Sequence, residues 1–248
     1  MKLSVVIITR NEEAGIRRCL ESVKWADEIV VLDSGSTDAT VRICREYTQH
    51  VHETDWPGFG PQKNRALQQA TGDWVLSLDA DEQVTPRLRD EIRTVLSVSA
   101  GPDAYEMPRL SNYCGRFMRH GGWWPDHVTR LFRRGKAHFS DDLVHERLIV
   151  NGPSGRLGNP LVHLAFENFE EVLHKIDRYS TASAEMLRDK GRNGSLSKAL
   201  LHGLWTFLRT YVLKAGFLDG RHGFMLAVSN AEGTYYRYLK LMLLNEKK

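Results

Sequence analysis

The chain has 248 residues, of which 42% are hydrophobic and 26% charged, so it can form one large soluble domain or a domain with an appendage. Its formal net charge of +3 is too small to indicate a nucleic-acid partner. Three cysteines without a CxxC pair argue against a disulfide framework and a zinc site, and they fit a reducing compartment.

The first hundred residues alternate between strand and helix patterns, which predicts an α/β fold with a doubly wound, mainly parallel sheet. Apolar runs predict buried strands at residues 3–9, 29–33 and 74–79, and a short third strand is predicted at residues 50–53. Apolar residues at helical spacing predict intervening helices near residues 16–23, 37–47, 62–70 and 85–96. Thr37 and Thr85 are the predicted N-caps of the second and fourth of these helices.

The pattern changes in the second half of the chain. Short strand-like pieces predict a mixed extension of the sheet, at residues 105–110, 128–132, 143–150 and 160–166. Residues 111–127 are predicted to form a long flexible loop. Helical spacing then predicts three helices, at about residues 169–187, 196–215 and 224–244. We therefore predict one α/β domain over residues 1–166, with parts 1–100 and 101–166, and a helical C-terminal extension over residues 167–248.

Polar residues follow three of the predicted parallel strands. The strand ends read Thr9-Arg10-Asn11-Glu12-Glu13, Asp33-Ser34-Gly35-Ser36 and Asp79-Ala80-Asp81. The carboxyl ends of parallel strands meet at one edge of the sheet, where α/β proteins bind ligands. The two neighbouring carboxylates of the third segment repel each other unless a cation compensates, and Mg²⁺ or Mn²⁺ bridging to substrate phosphates suits that need. Taken alone, this segment would more readily be a solvated turn.

Two common phosphate-binding motifs are absent. The first strand is followed by Thr-Arg-Asn-Glu-Glu-Ala instead of the Gly-x-Gly-x-x-Gly of a Rossmann dehydrogenase. A P-loop of the form GxxxxGK[ST] does not occur either. A bound diphosphate would therefore have to be held by a metal, for which Asp79 and Asp81 are the candidate ligands.

Four segments together resemble the family 2 glycosyltransferases: VVIITRNE at 5–12, VLDSGSTD at 31–38, QKNRA at 62–66 and DAD at 79–81. The resemblance implies a GT-A fold, a nucleotide-activated sugar as donor, and Mg²⁺ or Mn²⁺ as cofactor. It implies donor contacts from seven residues: Thr9, Asn11, Glu12, Asp33, Lys63, Asn64 and Asp79. It also implies that Asp81 is the main metal ligand, with Asp79 beside it, and His163 is a further candidate ligand on a following strand.

The second half resembles the lipopolysaccharide core β-1,4-glucosyltransferases, in GWWPD at 122–126, RLFRR at 130–134, VHE at 144–146 and FLDGRHGF at 217–224. This resemblance implies inverting transfer of glucose from UDP-glucose to a heptose of the lipopolysaccharide inner core. The acceptor would then be a lipid-linked glycan, reached from the cytoplasmic face of the cell membrane.

An inverting transfer needs a carboxylate that removes the proton of the attacking hydroxyl. Glu146 is the favoured general base, because the family places its base after an arginine-rich stretch such as 130–134. The family's commoner Glu-Asp pattern is replaced here by His145-Glu146, so Asp142, Asp141 and Asp126 stay open as alternatives. An exposed acid on an edge strand would explain Glu146 equally well.

Three further features have competing interpretations. Trp123 and Trp124 stand among glycines and suit a lid over the donor better than core packing. Arg130, Arg133 and Arg134 could bind acceptor phosphates or form a solvated face. The C-terminal helices combine an apolar stripe with basic residues, which suits an anionic membrane surface, packing on the catalytic domain, or a dimer interface.

Three alternatives to this function remain. The same chemistry could serve another surface glycan or a polypeptide acceptor. A non-catalytic nucleotide-binding module could keep the fold without the reaction. A nucleotidyltransferase would normally carry a glycine-rich basic loop after the first strand, and residues 9–13 contain no such loop.

Overall fold

The computed structural model describes residues 1–140 and 147–246, which form two compact units. The first unit comprises Met1–Arg109 and His127–His163, and the second comprises Leu110–Asp126 and Leu164–Lys248. Compared with the predicted division at residue 166, the difference is that residues 110–126 group with the C-terminal helices.

The strands are, in chain order, β1 (Leu3–Thr9), β2 (Glu28–Asp33), β3 (Val51–Glu53), β4 (Trp74–Asp79), β5 (Glu82–Val84), β6 (Ala104–Tyr113), β7 (Arg116–Phe117), β8 (Asp126–Arg133), β9 (Ala137–Phe139), β10 (Leu148–Val150), β11 (Ser154–Arg156) and β12 (Leu161–His163). Eight of them follow one another in the order β3-β2-β1-β4-β8-β6-β12-β5. Every residue of β1 is buried, as expected for an apolar strand inside a parallel sheet. The register pairs Thr9 with Asp33 and Ile8 with Asp79, so the three strand ends share one edge.

The sheet continues through antiparallel pairs, which confirms the predicted mixed extension. Strand β8 runs antiparallel to β4, and β12 runs antiparallel to β5. The predicted long loop at 111–127 is wrong in its first part, because β6 extends to Tyr113 and turns back into β7. Cys114 and Gly115 both have positive φ, the geometry of a tight two-residue hairpin. Cysteine is not a usual residue at that turn, so residues 114–115 do not form a recognisable hairpin motif in the sequence.

The helices are α1 (Ile16–Val23), α2 (Thr40–Cys44), α3 (Phe59–Gln69), α4 (Pro86–Ser97), α5 (Phe169–Asp189), α6 (Leu196–Leu208) and α7 (Gly220–Glu246). The predicted cap Thr85 is confirmed, since its hydroxyl oxygen accepts a hydrogen bond from the Leu88 N–H at 3.2 Å. The predicted cap Thr37 is wrong. Its N–H donates to Asn11, and α2 begins later, after Ala39.

The second unit contains α5, α6 and α7, with a π-helical turn at Arg209–Leu213 and a 3-10 turn at Gly216–Asp219 between the last two. Asn168 caps α5 by accepting from the Glu171 N–H at 2.9 Å. A small core joins Tyr113, Met118, Val172 and Leu226. Among the described residues, no helix combines the length and the hydropathy needed to cross a bilayer.

Candidate functional site

The ends of β1, β2 and β4 place Thr9, Asp33 and Asp79 on the predicted edge of the first unit. Thr9 is buried, and its hydroxyl has no hydrogen-bond partner among the described residues. A buried hydroxyl without a partner costs free energy unless a ligand or a water satisfies it. Thr9 is therefore suited to donate to, or accept from, a molecule that binds at this edge.

Asp33 and Asn11 shape the loops that follow β2 and β1. The Asp33 carboxylate is fully buried and accepts from the N–H groups of Gly35 and Ser36 at 3.0 and 2.7 Å, and from the Ser36 hydroxyl. The Ser36 hydroxyl in turn accepts from the Asn11 N–H at 2.8 Å. Asn11 has φ of 54°, and its side-chain oxygen accepts from the Thr37 N–H at 2.8 Å. These oxygens hold the two loops together, and their predicted contact with a nucleotide stays a prediction.

Glu12 connects the same edge to α1. Its N–H donates to the Thr40 hydroxyl at 2.8 Å, and its carbonyl accepts from the Ile16 N–H at 2.8 Å. Gly15, in the turn between them, faces the segment after β4. A Cβ placed on Gly15 would lie 3.6 Å from the Ala80 oxygen and 4.0 Å from the Asp81 Cα. The loop after β1 therefore lies directly beside the predicted metal ligand.

A largely buried network of charges surrounds Asp79, whose own side chain is 32% exposed. Lys63 Nζ lies 2.9 Å from one carboxylate oxygen, and Arg130 Nη2 donates to the other. Arg130 also pairs with Glu82 at 2.7 Å, and Arg109 lies 3.6 Å from the same Glu82 oxygen. Glu82 is fully buried and its second oxygen accepts from the Asp79 N–H at 3.0 Å. Both interpretations offered for Arg130, acceptor phosphates and a solvated face, are wrong, because its charge is used inside the protein.

The electrostatics of this network favour its charged state. Burial alone would raise the pKa of Asp79, but the Arg130 and Lys63 charges lower it far below its ordinary value. Burial likewise opposes the charge of Arg130, and Asp79 and Glu82 overcome this and raise its pKa. The sequence contained a signal for this network, because an arginine within an apolar strand such as β8 is rarely buried without an acid.

Asp81 has a different environment from Asp79. Strand β12 pairs with β5 and places His163 opposite Glu82, which brings His163 Nε2 to 3.2 Å from an Asp81 oxygen. The Asp81 side chain keeps 32% of its surface exposed, the same fraction as Asp79, and that of His163 keeps 14%, so the two aspartates differ in their partners rather than in their exposure. The two predicted ligands are thus adjacent and partly exposed. Within residues 1–140 and 147–246, no group of three His, Cys, Asp or Glu side chains converges on one point.

This donor set suits a metal that is completed by substrate. Mg²⁺ and Mn²⁺ commonly take one or two protein ligands together with waters and phosphate oxygens. Asp81 and His163 offer one oxygen and one nitrogen for that purpose. Asp79 fits less well, since both of its oxygens are engaged by cations.

Lys63 and Asn64 lie next to one another on α3 but have different partners. Lys63 is buried against Asp79 and also lies 5.2 Å from the ring centroid of Phe139. Asn64 exchanges two hydrogen bonds of 2.8 Å with the Phe139 backbone, which fixes β9 against α3. The amide of Asn64 is therefore already used, and its predicted donor contact stays a prediction.

The candidate general bases are distributed between two places. Glu146, Asp142 and Asp141 lie outside the described residues. Asp126 begins β8 and belongs to the second unit, where it is half-buried. Their comparison is therefore a matter for experiment.

The predicted tryptophan lid is wrong for Trp123. Its ring stacks on Phe166, with centroids 6.1 Å apart, and meets Tyr113 edge-on at 5.9 Å. These rings belong to the small core of the second unit. They also line a cavity of about 350 Å³ between α5 and α7, and Lys175 and Arg237 are among its lining residues. Core packing, the competing interpretation, describes Trp123.

Comparison with known proteins is consistent with this geometry. The model for "Glycosyl transferase family 2" matches residues 4–97, the part that carries the strand-end motifs. The uncharacterized glycosyltransferase RP128 of Rickettsia prowazekii is 30% identical over 99% of this chain and 88% of its own length. The lipopolysaccharide core biosynthesis glycosyltransferase LpsC of Rhizobium meliloti is 31% identical over 93% and 88%.

A solved structure confirms the predicted GT-A type of fold. Residues 1–349 of S. aureus TarS, in complex with UDP-GlcNAc, align with 99% of this chain and 92% of that one, with a TM-score of 0.51 and 16% identity. The full-length similarity to relatives at 30% identity or more is the stronger finding. The chain belongs to glycosyl transferase family 2.

Proposed function

We propose that this protein is an inverting, metal-dependent hexosyltransferase that uses a UDP-hexose, with UDP-glucose as the first candidate. The observation that carries the proposal is the pairing of Asp81 with His163 at the edge where β1, β2 and β4 end. The absence of a glycine-rich phosphate loop leaves a metal as the holder of the diphosphate. A bound Mg²⁺ or Mn²⁺ would neutralise the charge that develops on the leaving UDP.

The protein's own residues divide the remaining work. Asp81 and His163 would hold the metal, while Thr9 offers the nucleotide a hydroxyl that has no hydrogen-bond partner among the described residues. Asp33 and Asn11 keep the loops around the nucleotide in shape through their hydrogen bonds. Lys63 and Arg130 neutralise Asp79, which limits the repulsion between Asp79 and Asp81.

The first test is release of UDP from UDP-glucose by the purified chain without an acceptor. We expect slow release with Mn²⁺ or Mg²⁺ and none in EDTA, because water replaces the acceptor hydroxyl. Equal release in EDTA would refute the metal. UDP binding without release, with or without a glycan acceptor, would indicate a non-catalytic module, and release of pyrophosphate from a nucleoside triphosphate would indicate a nucleotidyltransferase.

We further propose Glu146 as the general base. Glu146→Gln is expected to bind UDP normally and to lose transfer by roughly 100-fold or more, since the acceptor hydroxyl then keeps its proton. Transfer is measured with a radiolabelled donor, and UDP binding by calorimetry. Asp126→Asn is the matched comparison, expected to retain transfer. The reverse pattern would make Asp126 the base, and normal transfer by both variants would leave Asp141 and Asp142.

For the acceptor, we propose a heptose of the lipopolysaccharide inner core. The similarity to LpsC over 93% of the chain supports this choice. The second-unit cavity adds support, since aromatic rings and the charges of Lys175 and Arg237 suit an anionic saccharide. Another surface glycan or a polypeptide is the alternative, and a panel of truncated core glycans and peptides distinguishes them. A lipid-linked acceptor implies that the protein works at the cytoplasmic face of the membrane, in contact with it through its C-terminal helices.

A further inference from the structure

Helix α6 buries its smallest residues and exposes its largest apolar ones. Ala199 is fully buried and Gly203 is buried, and both face the protein. In contrast, Leu201 is 68% exposed, Leu204 58% and Trp205 55%. Burial of leucine and tryptophan normally drives helix packing, so this arrangement reverses the usual one.

The reversal has a steric cause. A Cβ added at Gly203 would lie 3.4 Å from the Ala231 oxygen and 3.4 Å from Tyr235 Cβ, both on α7. The close approach of the two helices leaves room only for small side chains on this face. At about 100° per residue, the leucines and Trp205 then fall on one outward arc, with Lys198 and Arg209 along its border.

The exposed apolar surface continues past the end of α6. We call it the α6 band, and its members are Leu196, Leu200, Leu201, Leu204, Trp205, Leu208, Val212, Leu213, Phe217, Leu218 and Phe224. These are 11 of the 23 large hydrophobic residues that are exposed in the described chain, within residues 196–224. Such a concentration marks an interaction surface, because scattered exposed residues would be spread along the sequence.

All exposed charges within residues 196–224 are positive. Lys198, Arg209, Lys214 and Arg221 are exposed, and none is in an ion pair in the part of the chain that the structure describes. Asp219 is the sole acid in this stretch. It is 3% exposed, and its carboxylate accepts from the Arg119 and His120 N–H groups at 3.0 and 2.8 Å.

We infer that the α6 band docks on a membrane leaflet that contains anionic lipid, with its leucines and Trp205 below the headgroups and the four cations on lipid phosphates. This inference rests on the proposed membrane location and identifies the surface that provides it. A second copy of the chain is a poorer occupant. A two-fold interface places the same patch of both copies together, so eight cations would share an interface to which neither copy brings an accessible acid from residues 196–224.

The test is flotation of the full chain with vesicles of phosphatidylcholine alone or mixed with phosphatidylglycerol. We expect binding to the anionic vesicles and an at least tenfold weaker partition for the double variant Leu201→Glu/Trp205→Glu. Arg209→Gln/Lys214→Gln should weaken it by about 30-fold, since each of the two cations near such a surface contributes about 1 kcal/mol. Val98→Glu is the control, because Val98 is 50% exposed but lies in the first unit.

Several outcomes overturn the inference: wild-type protein that stays with the unbound fraction, equal binding to both vesicle types, or a dimer in analytical ultracentrifugation that the double variant abolishes. Metal-dependent release of UDP from the soluble donor is measured in parallel. All of these variants should retain it, so a failure of docking with intact release leaves the proposed reaction in place. If the wild-type protein releases no UDP, the proposed reaction is wrong.

Discussion

Replacing Asp81 by asparagine is expected to lower metal-dependent UDP release by at least about 100-fold while the protein stays folded. Asparagine keeps the size of the side chain but removes the negative charge that we propose holds a divalent ion beside His163. The Asp81 side chain is 32% exposed, so an asparagine of the same size fits the position without disturbing the packing. Thermal unfolding should therefore shift little, and the loss should appear in turnover.

The control for this variant is Asp90→Asn, an exposed acid on α4 that pairs only with its neighbour Arg89. Direct binding supplies the second readout, as free Mn²⁺ measured by electron paramagnetic resonance in the presence of UDP. Asp81→Asn should leave most Mn²⁺ free, and His163→Gln should weaken binding to a smaller degree. Wild-type release and Mn²⁺ binding in Asp81→Asn would show that another residue holds the metal.

The sequence predicted the edge of the site because that edge depends on local patterns. Apolar runs gave β1, β2 and β4, and parallel pairing then places Thr9, Asp33 and Asp79 together whatever the rest of the chain does. His163 could be predicted as a candidate metal ligand from the sequence, because it ends a strand that follows the DAD segment along the chain. Its distance from Asp81 required the β5–β12 pairing, which joins residues about eighty positions apart in the sequence.

The sequence does not show contacts between side chains that are far apart along the chain. Asp79 and Asp81 cannot be distinguished in the sequence. In the structure Asp79 accepts a hydrogen bond from Arg130, 51 residues away, and Asp81 does not. Asn64 was expected to contact the sugar nucleotide, but its amide is hydrogen-bonded to the backbone of Phe139, 75 residues further along the chain. In α6 the apolar stripe was visible in the sequence, but the sequence does not show that the close approach of Gly203 to α7 turns the large apolar side chains outward.

The two aspartates therefore have different roles at the same strand end. Lys63 and Arg130 neutralise the Asp79 carboxylate, and these ion pairs stabilise the end of β4. That neutralisation limits the repulsion that Asp79 exerts on a second carboxylate two residues away, Asp81, which we propose as the metal ligand. Replacing a residue of the Asp79 network should consequently lower the stability of the fold, whereas replacing Asp81 should lower turnover.

Arg130→Met is the variant expected to affect stability most, by about 3–5 kcal/mol in the free energy of unfolding. Methionine fills similar volume but leaves the buried Glu82 without its closest cation and Asp79 with Lys63 alone. The measurement is urea denaturation at pH 7. Arg87→Met, an exposed arginine on α4, is the control and should change stability by less than about 0.5 kcal/mol. A small effect at Arg130 would mean that water reaches the pair.

The pH dependence of this effect has a definite sign. The pKa of Asp79 is lowered in the folded protein, so its ion pairs stabilise the fold at pH values above the unfolded carboxyl pKa of about 3.9. That contribution is lost as the pH falls toward the lower folded value, because the unfolded chain then binds a proton that the folded chain does not. Arg130→Met has less of it to lose. The difference in unfolding free energy between wild type and variant should therefore be largest near pH 7 and shrink below about pH 4. A difference that stays constant down to pH 3 would show that lost packing, rather than lost charge pairing, explains the variant.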